Sequence, residues 1–139
     1  MLCCASLLIA QNDSRDADRK QIIDLERQMV QMDLKGSYTP EFIRDHVGDD
    51  MTFVWPMGFG SRDEFVKPDT PPLDETIGDF KVKFYGSTAV VNGTWHKKDK
   101  DRSDPAKTAE FGGFLVHVWA KQDGKWKLVS SAAGPLMGH

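Results

Sequence analysis

His117 is the titratable ring that the sequence sets on an otherwise apolar strand face, and it is the best single candidate for chemistry. The stretch 114–131 reads as two strands rich in β-branched and aromatic residues, folded back at Asp123-Gly124, a dipeptide that accepts the positive φ angles of a tight hairpin turn. With these two as the loop residues, Lys121 faces Trp126, Trp119 faces Leu128, His117 faces Ser130 and Leu115 faces Ala132. Val118/Val129 and Val116/Ser131 then fall on the opposite side. An imidazole among Leu115, Trp119 and Leu128 can titrate near neutrality, so it suits the acid or base of an isomerisation, dehydration or cyclisation. The competing role is structural: a ring bonded to Ser130, or one held in a contact between two copies of the chain.

Other residues suit binding. Trp55, Trp95, Phe59 and Met29, with His117 and Ser130, would line a site for a flat apolar or aromatic ligand through dispersion and π contacts. For Trp95 and Met29 the competing role is core packing. Asp33, Tyr38 and Glu110 are the remaining titratable groups within reach of such a site; Asp33, near a helix end, and Glu110, at a strand entrance, read as solvated. The four histidines show no HxH or HExxH spacing, and both cysteines lie in the first four residues. Thiolate chemistry, disulfides and a metal site are therefore not expected in the body of the chain. No phosphate loop or nucleotide fingerprint is present, so no cofactor is expected either.

A chain of 139 residues suits one core and one domain. Its net charge of -3, with Lys and Asp/Glu interspersed, lacks the basic stripe that nucleic acid would require. Residues 1–10 form an apolar run with a small-residue ending, the pattern of a truncated secretory signal without its basic start. The expectation is export, periplasmic or secreted, with a cytoplasmic protein as the alternative. That run is too short to span a bilayer as a helix, so stable membrane insertion is not expected.

The elements that must position these residues can be read in order. Ile22, Leu25, Met29 and Met32 recur at helical spacing over 17–34, with Asp, Arg, Lys and Gln opposite, and Gly36 stops that helix. Thr39-Pro40 is an N-cap and first helical position for a short helix ending at Gly48. A short strand covers 51–55, a glycine loop 57–60, and Ser61-x-x-Glu64 is a capping box for another short helix. Strands over 76–85 and 88–97, turned at Gly86-Ser87, place Phe80, Val82, Phe84, Ala89, Val91 and Trp95 on one face. Lys81, Lys83, Asn92, Thr94 and His96 take the wet face. The result is an α+β domain over 17–133, a curved antiparallel sheet wrapped over a long N-terminal helix, forming a cone with an interior pocket. Residues 134–139 make a tail. Phe114, Val116, Val118 and Val129 form an apolar outer face, which a second copy would cover as a homodimer.

Three segments carry a resemblance: Asp49-Asp50-Met-Thr-Phe-Val-Trp-Pro-Met-Gly58, Val82-x-Phe-Tyr-Gly-Ser-Thr-Ala-Val-Val-Asn-Gly93 and Val118-Trp-Ala-Lys-Gln-Asp-Gly-Lys-Trp126. Together with the entry helix they resemble the nuclear-transport-factor-2-like superfamily, most closely its SnoaL-like and ketosteroid-isomerase-like members. The resemblance implies a cone-shaped fold with an interior pocket, often dimeric, on which enzymes, binding proteins and assembly modules are all built. It also implies that the isomerase base position is Trp55 and the oxyanion-hole tyrosine position Met29, neither of which can do that chemistry. The second oxyanion acid would fall near Val116–His117. A small-molecule binding domain is the leading expectation, with a His117 enzyme and an interaction module as alternatives.

Overall fold

Helix α1, Cys3–Lys35, is the support on which the sheet is built. The computed structural model describes residues 3–56 and 58–135, with side chains from Ser14 onward. The side chains of the apolar leader, together with Met57, the tail 136–139 and its His139, lie outside the described residues. Along α1 the buried stripe is Ile22, Leu25, Met29 and Val30, as the helical spacing requires. Gly36 ends it with a φ of +77°, and its N–H donates to the Asp33 carbonyl at 2.9 Å.

Helix α2, Pro40–His46, begins where the Thr39 side chain accepts from the Phe42 N–H at 3.2 Å. It ends two residues earlier than Gly48, and the chain passes straight into strand β1, Val47–Trp55. Gly48 is needed for close approach: a Cβ there would lie 3.1 Å from the Leu128 carbonyl oxygen. Strand β2, Gly58–Ser61, replaces the expected loop and pairs antiparallel with β1, Trp55 opposite Gly58. Helix α3, Arg62–Phe65, carries the capping box, with the Ser61 N–H donating to Glu64 Oε2 at 2.7 Å. Strands β3, Asp74–Tyr85, β4, Thr88–Lys100, β5, Thr108–Gln122, and β6, Lys125–Pro135, complete the chain. Thus β6 continues two residues into the expected tail.

The sheet is curved and open, in the order β2-β1-β6-β5-β4-β3. One pair differs from the antiparallel expectation, because β1 runs parallel to β6. Val91, Leu115, Trp119, Trp126 and Leu128 pack from the sheet onto Ile22, Leu25 and Met29, closing the core at one end. Phe80, Val82, Phe84 and Trp95 pack against the same core, while Lys81, Lys83 and His96 face water.

The last hairpin keeps its turn and changes its register. Asp123 and Gly124 have φ of 51° and 76°, and Lys121 faces Trp126 and Trp119 faces Leu128. Beyond that, Val118 pairs with Ser130, so Val129 is an extra residue, a β-bulge. Every later pair shifts by one: His117 faces Ser131, Leu115 faces Ala133 and Val116 faces Ala132. The bulge puts Ser131, buried, on the inner face in place of Ser130.

Candidate functional site

Between the C-terminal half of α1 and the concave face of the sheet lies a cavity of about 400 Å³. Met29, Trp55, Trp95 and His117 line it, so four of the residues singled out above come together there. Phe59 does not. It projects from edge strand β2 opposite Val54 and is 85% exposed, because alternation along that strand turns it to solvent. Ser130 gives way to Ser131 through the bulge.

The walls are aromatic. Tyr38 lies 5.6 Å from Phe65, Phe65 lies 5.8 Å from Phe53, and Phe53 lies 5.7 Å from Trp55, ring centre to ring centre. These tilted contacts form a continuous rim that leaves Trp55 half in solvent. Ile77 and Leu115 contribute aliphatic wall. A small set of polar groups interrupts this lining.

His117 is held by a residue the sequence reading did not single out. Glu26 is 1% exposed, accepts from His117 Nδ1 at 2.7 Å, and accepts from Trp119 Nε1 at 2.8 Å. The expected partner Ser130 is therefore not the one that orients the ring. With Nδ1 donating, a neutral ring keeps its lone pair on Nε2, the arrangement of an oriented general base. One turn pattern places these acids. Asp18, Glu26 and Asp33 all fall along the buried stripe of Ile22, Leu25 and Met29; the first two meet polar groups from the sheet, and Asp33 meets Tyr38 in the loop after the helix. Asp18 accepts from Trp126 Nε1 at 3.0 Å and from Lys121 Nζ at 3.2 Å. Their spacing along the apolar stripe was the signal available for finding them.

Asp33 lines the cavity, where it was expected to be solvated. Burial raises its pKa to about 6, while the Tyr38 hydroxyl and the charges of Lys97 and His117 pull it down. Glu75, on β3, also lines the cavity and was missed, since nothing in its local sequence separates it from the other acids of 74–79. Burial, and then the negative charge of Asp33, raise it to about 7. Tyr38 is pushed well above its usual value by burial and by Asp33. Two buried atoms on these walls have no partner, Glu75 Oε2 and Trp95 Nε1. Glu110 lies away from the site, 3.7 Å from His96 and 3.9 Å from Lys98. Among the described residues no cluster of three or more His, Cys, Asp or Glu is arranged to hold a metal ion, and no helix is long and apolar enough to cross a membrane.

No family model matches this sequence, and no curated protein does. Solved structures do match. A nuclear transport factor 2 (NTF2-like) superfamily protein from Salmonella enterica superposes with a TM-score of 0.73 at 19% identity, covering 90% of this chain and 96% of that one. A conserved protein from Planctomyces limnophilus gives 0.71 at 16% identity, covering 87% and 98%. The association domain of CaMKII from C. elegans gives 0.66 at 18% identity, covering 86% and 97%.

Proposed function

We propose that this chain, which has the nuclear-transport-factor-2-like fold, is a small-molecule binding domain whose ligand occupies the cavity between α1 and the sheet. One observation carries the reading: an aromatic-walled cavity of about 400 Å³ into which a few polar groups converge, two of them with buried, unpartnered atoms. Buried polar atoms are expensive to leave unpaired, and a ligand that pairs them recovers that cost. Ala133, on the cavity wall, supplies a test. Ring-containing ligands at about one hundred times their Kd should raise unfolding stability by about 2.7 kcal/mol. Ala133→Phe, which fills the space, should abolish that rise. Ligand stabilisation that survives in Ala133→Phe would place binding elsewhere.

The Glu26–His117 contact favours a second reading, an acid–base enzyme in the same cavity. Ligand conversion that His117→Gln removes, with ligand-induced stabilisation retained, would identify it; unchanged conversion in that variant would exclude His117 as the acid or base.

Assembly is proposed alongside binding. Phe114 is 41% exposed and Val116, Val118 and Val129 are half-buried on the outer sheet face, an apolar surface suited to a second copy. A likeness in fold to a CaMKII association domain supports it. Sedimentation at micromolar concentration should give twice the mass of the 15.6 kDa chain, and Phe114→Lys with Val118→Lys should give a monomer. A wild-type monomer would contradict pairing. Export of the chain through residues 1–10 also stays a proposal, checked by comparing the N-terminal sequence of the protein from periplasm and cytoplasm.

A further inference from the structure

We propose that the ligand joins a flat apolar body to a protonated amine, with the ammonium seated at Glu75 in the field of Asp33; this rests on the small-molecule reading above. The cavity is short of positive charge. Glu26, Asp33, Glu64, Asp69 and Glu75 line it as acids, whereas the cations lining it are Lys67, Lys97 and, when protonated, His117. His117 is already held by Glu26. Lys97 lies 3.8 Å from Asp99, and neither Asp33 nor Glu75 has an ion-pair partner among the described residues.

Glu75, on the cavity wall, therefore carries a buried acceptor, Oε2, that lacks a donor. An ammonium supplies three. The surrounding rings, Trp55, Trp95, Tyr38 and Phe53, supply the π-systems that favour a cation beside an apolar body. Trp95 Nε1, a buried donor on the adjacent strand, would take an oxygen acceptor of the same ligand. An anionic ligand would instead add like charge beside Glu75, on which the charges of Asp33, Asp99 and Asp74 act against that of Lys97. The raised pKa values of Asp33 and Glu75 agree with this reading, because a cation entering the cavity would restore what burial removes.

Three probes of one shape separate the possibilities: naphthylmethylamine, naphthylmethanol and naphthoate, titrated calorimetrically into the full chain at about pH 8, where both acids are ionised. The amine should bind about tenfold tighter than the alcohol, and the naphthoate most weakly. Glu75→Gln should bring the amine down to the alcohol's affinity, and Ala133→Phe should remove all binding. Alcohol or naphthoate binding as tightly as the amine would overturn the cationic ligand and keep the cavity as a site. Amine binding that persists in Ala133→Phe, or no binding by any probe, would overturn both readings.

Discussion

Glu26→Ala is expected to destabilise the fold by about 3–5 kcal/mol, measured by urea unfolding at neutral pH. Glu26 is 1% exposed, and its two oxygens take Trp119 Nε1 at 2.8 Å and His117 Nδ1 at 2.7 Å. Alanine leaves both donors buried without an acceptor and opens a void beside Ile22 and Leu25. Glu26→Gln keeps one amide oxygen for these donors, so its cost should be smaller, about 1–2 kcal/mol. The consequence reaches the site as well as the core. Without Glu26 the His117 ring loses the contact that holds its Nδ1. A loss below 1 kcal/mol for Glu26→Ala would show that His117 and Trp119 find other partners at little cost.

Asp33 and Glu75 should make stability fall as pH rises. Burial raises Asp33 from 3.8 to about 6 and Glu75 from 4.5 to about 7. Between those values the folded protein holds protons that the unfolded chain has released, so deprotonation favours unfolding. The stabilisation is complete below about pH 4 and lost by about pH 7. At about 1.4 kcal/mol per pKa unit, Asp33 accounts for up to about 3 kcal/mol. The Glu75 contribution is smaller because solvent partly screens it. Asp33→Asn removes this group from the profile, so it should gain stability relative to the wild type as pH rises from 4 to 7, ending about 1–3 kcal/mol ahead at pH 8. A difference that stays constant across that window would show that Asp33 titrates as an ordinary solvated carboxylate. Groups that cost stability and line a cavity are the kind a protein retains for binding.

The sequence made the fold's outline legible and blurred the site's details for identifiable reasons. Asp123-Gly124 specified the last hairpin, and Trp119 and Leu128 fell on the inner face as alternation required. Val129 then broke the register, with no glycine or proline to mark the bulge, and Ser131 took the place assigned to Ser130. Strand β2 was hidden because Gly58 and Gly60 read as a loop; Gly60 in fact leaves the space that the Phe53 ring occupies. Asp18, with the other aspartates of α1, and Asp33 were assigned to solvent and Glu26 was not singled out, although each sits on the apolar stripe of α1. The partners of Asp18 and Glu26, Trp126 and His117 with Trp119, come from strands distant in sequence, so only the tertiary fold shows why these buried acids are tolerated; Asp33 meets Tyr38 in the loop just after the helix. Met29 and Trp55 do line the cavity.

The most direct measurement is native mass spectrometry of the full chain purified from its own host, alongside Ala133→Phe prepared in the same way. A reproducible added mass on the wild type, released as a basic ring-containing molecule on denaturation and absent from Ala133→Phe, is the predicted result. No added mass on either protein after incubation with host extract, or the same mass on both, would contradict a ligand in this cavity.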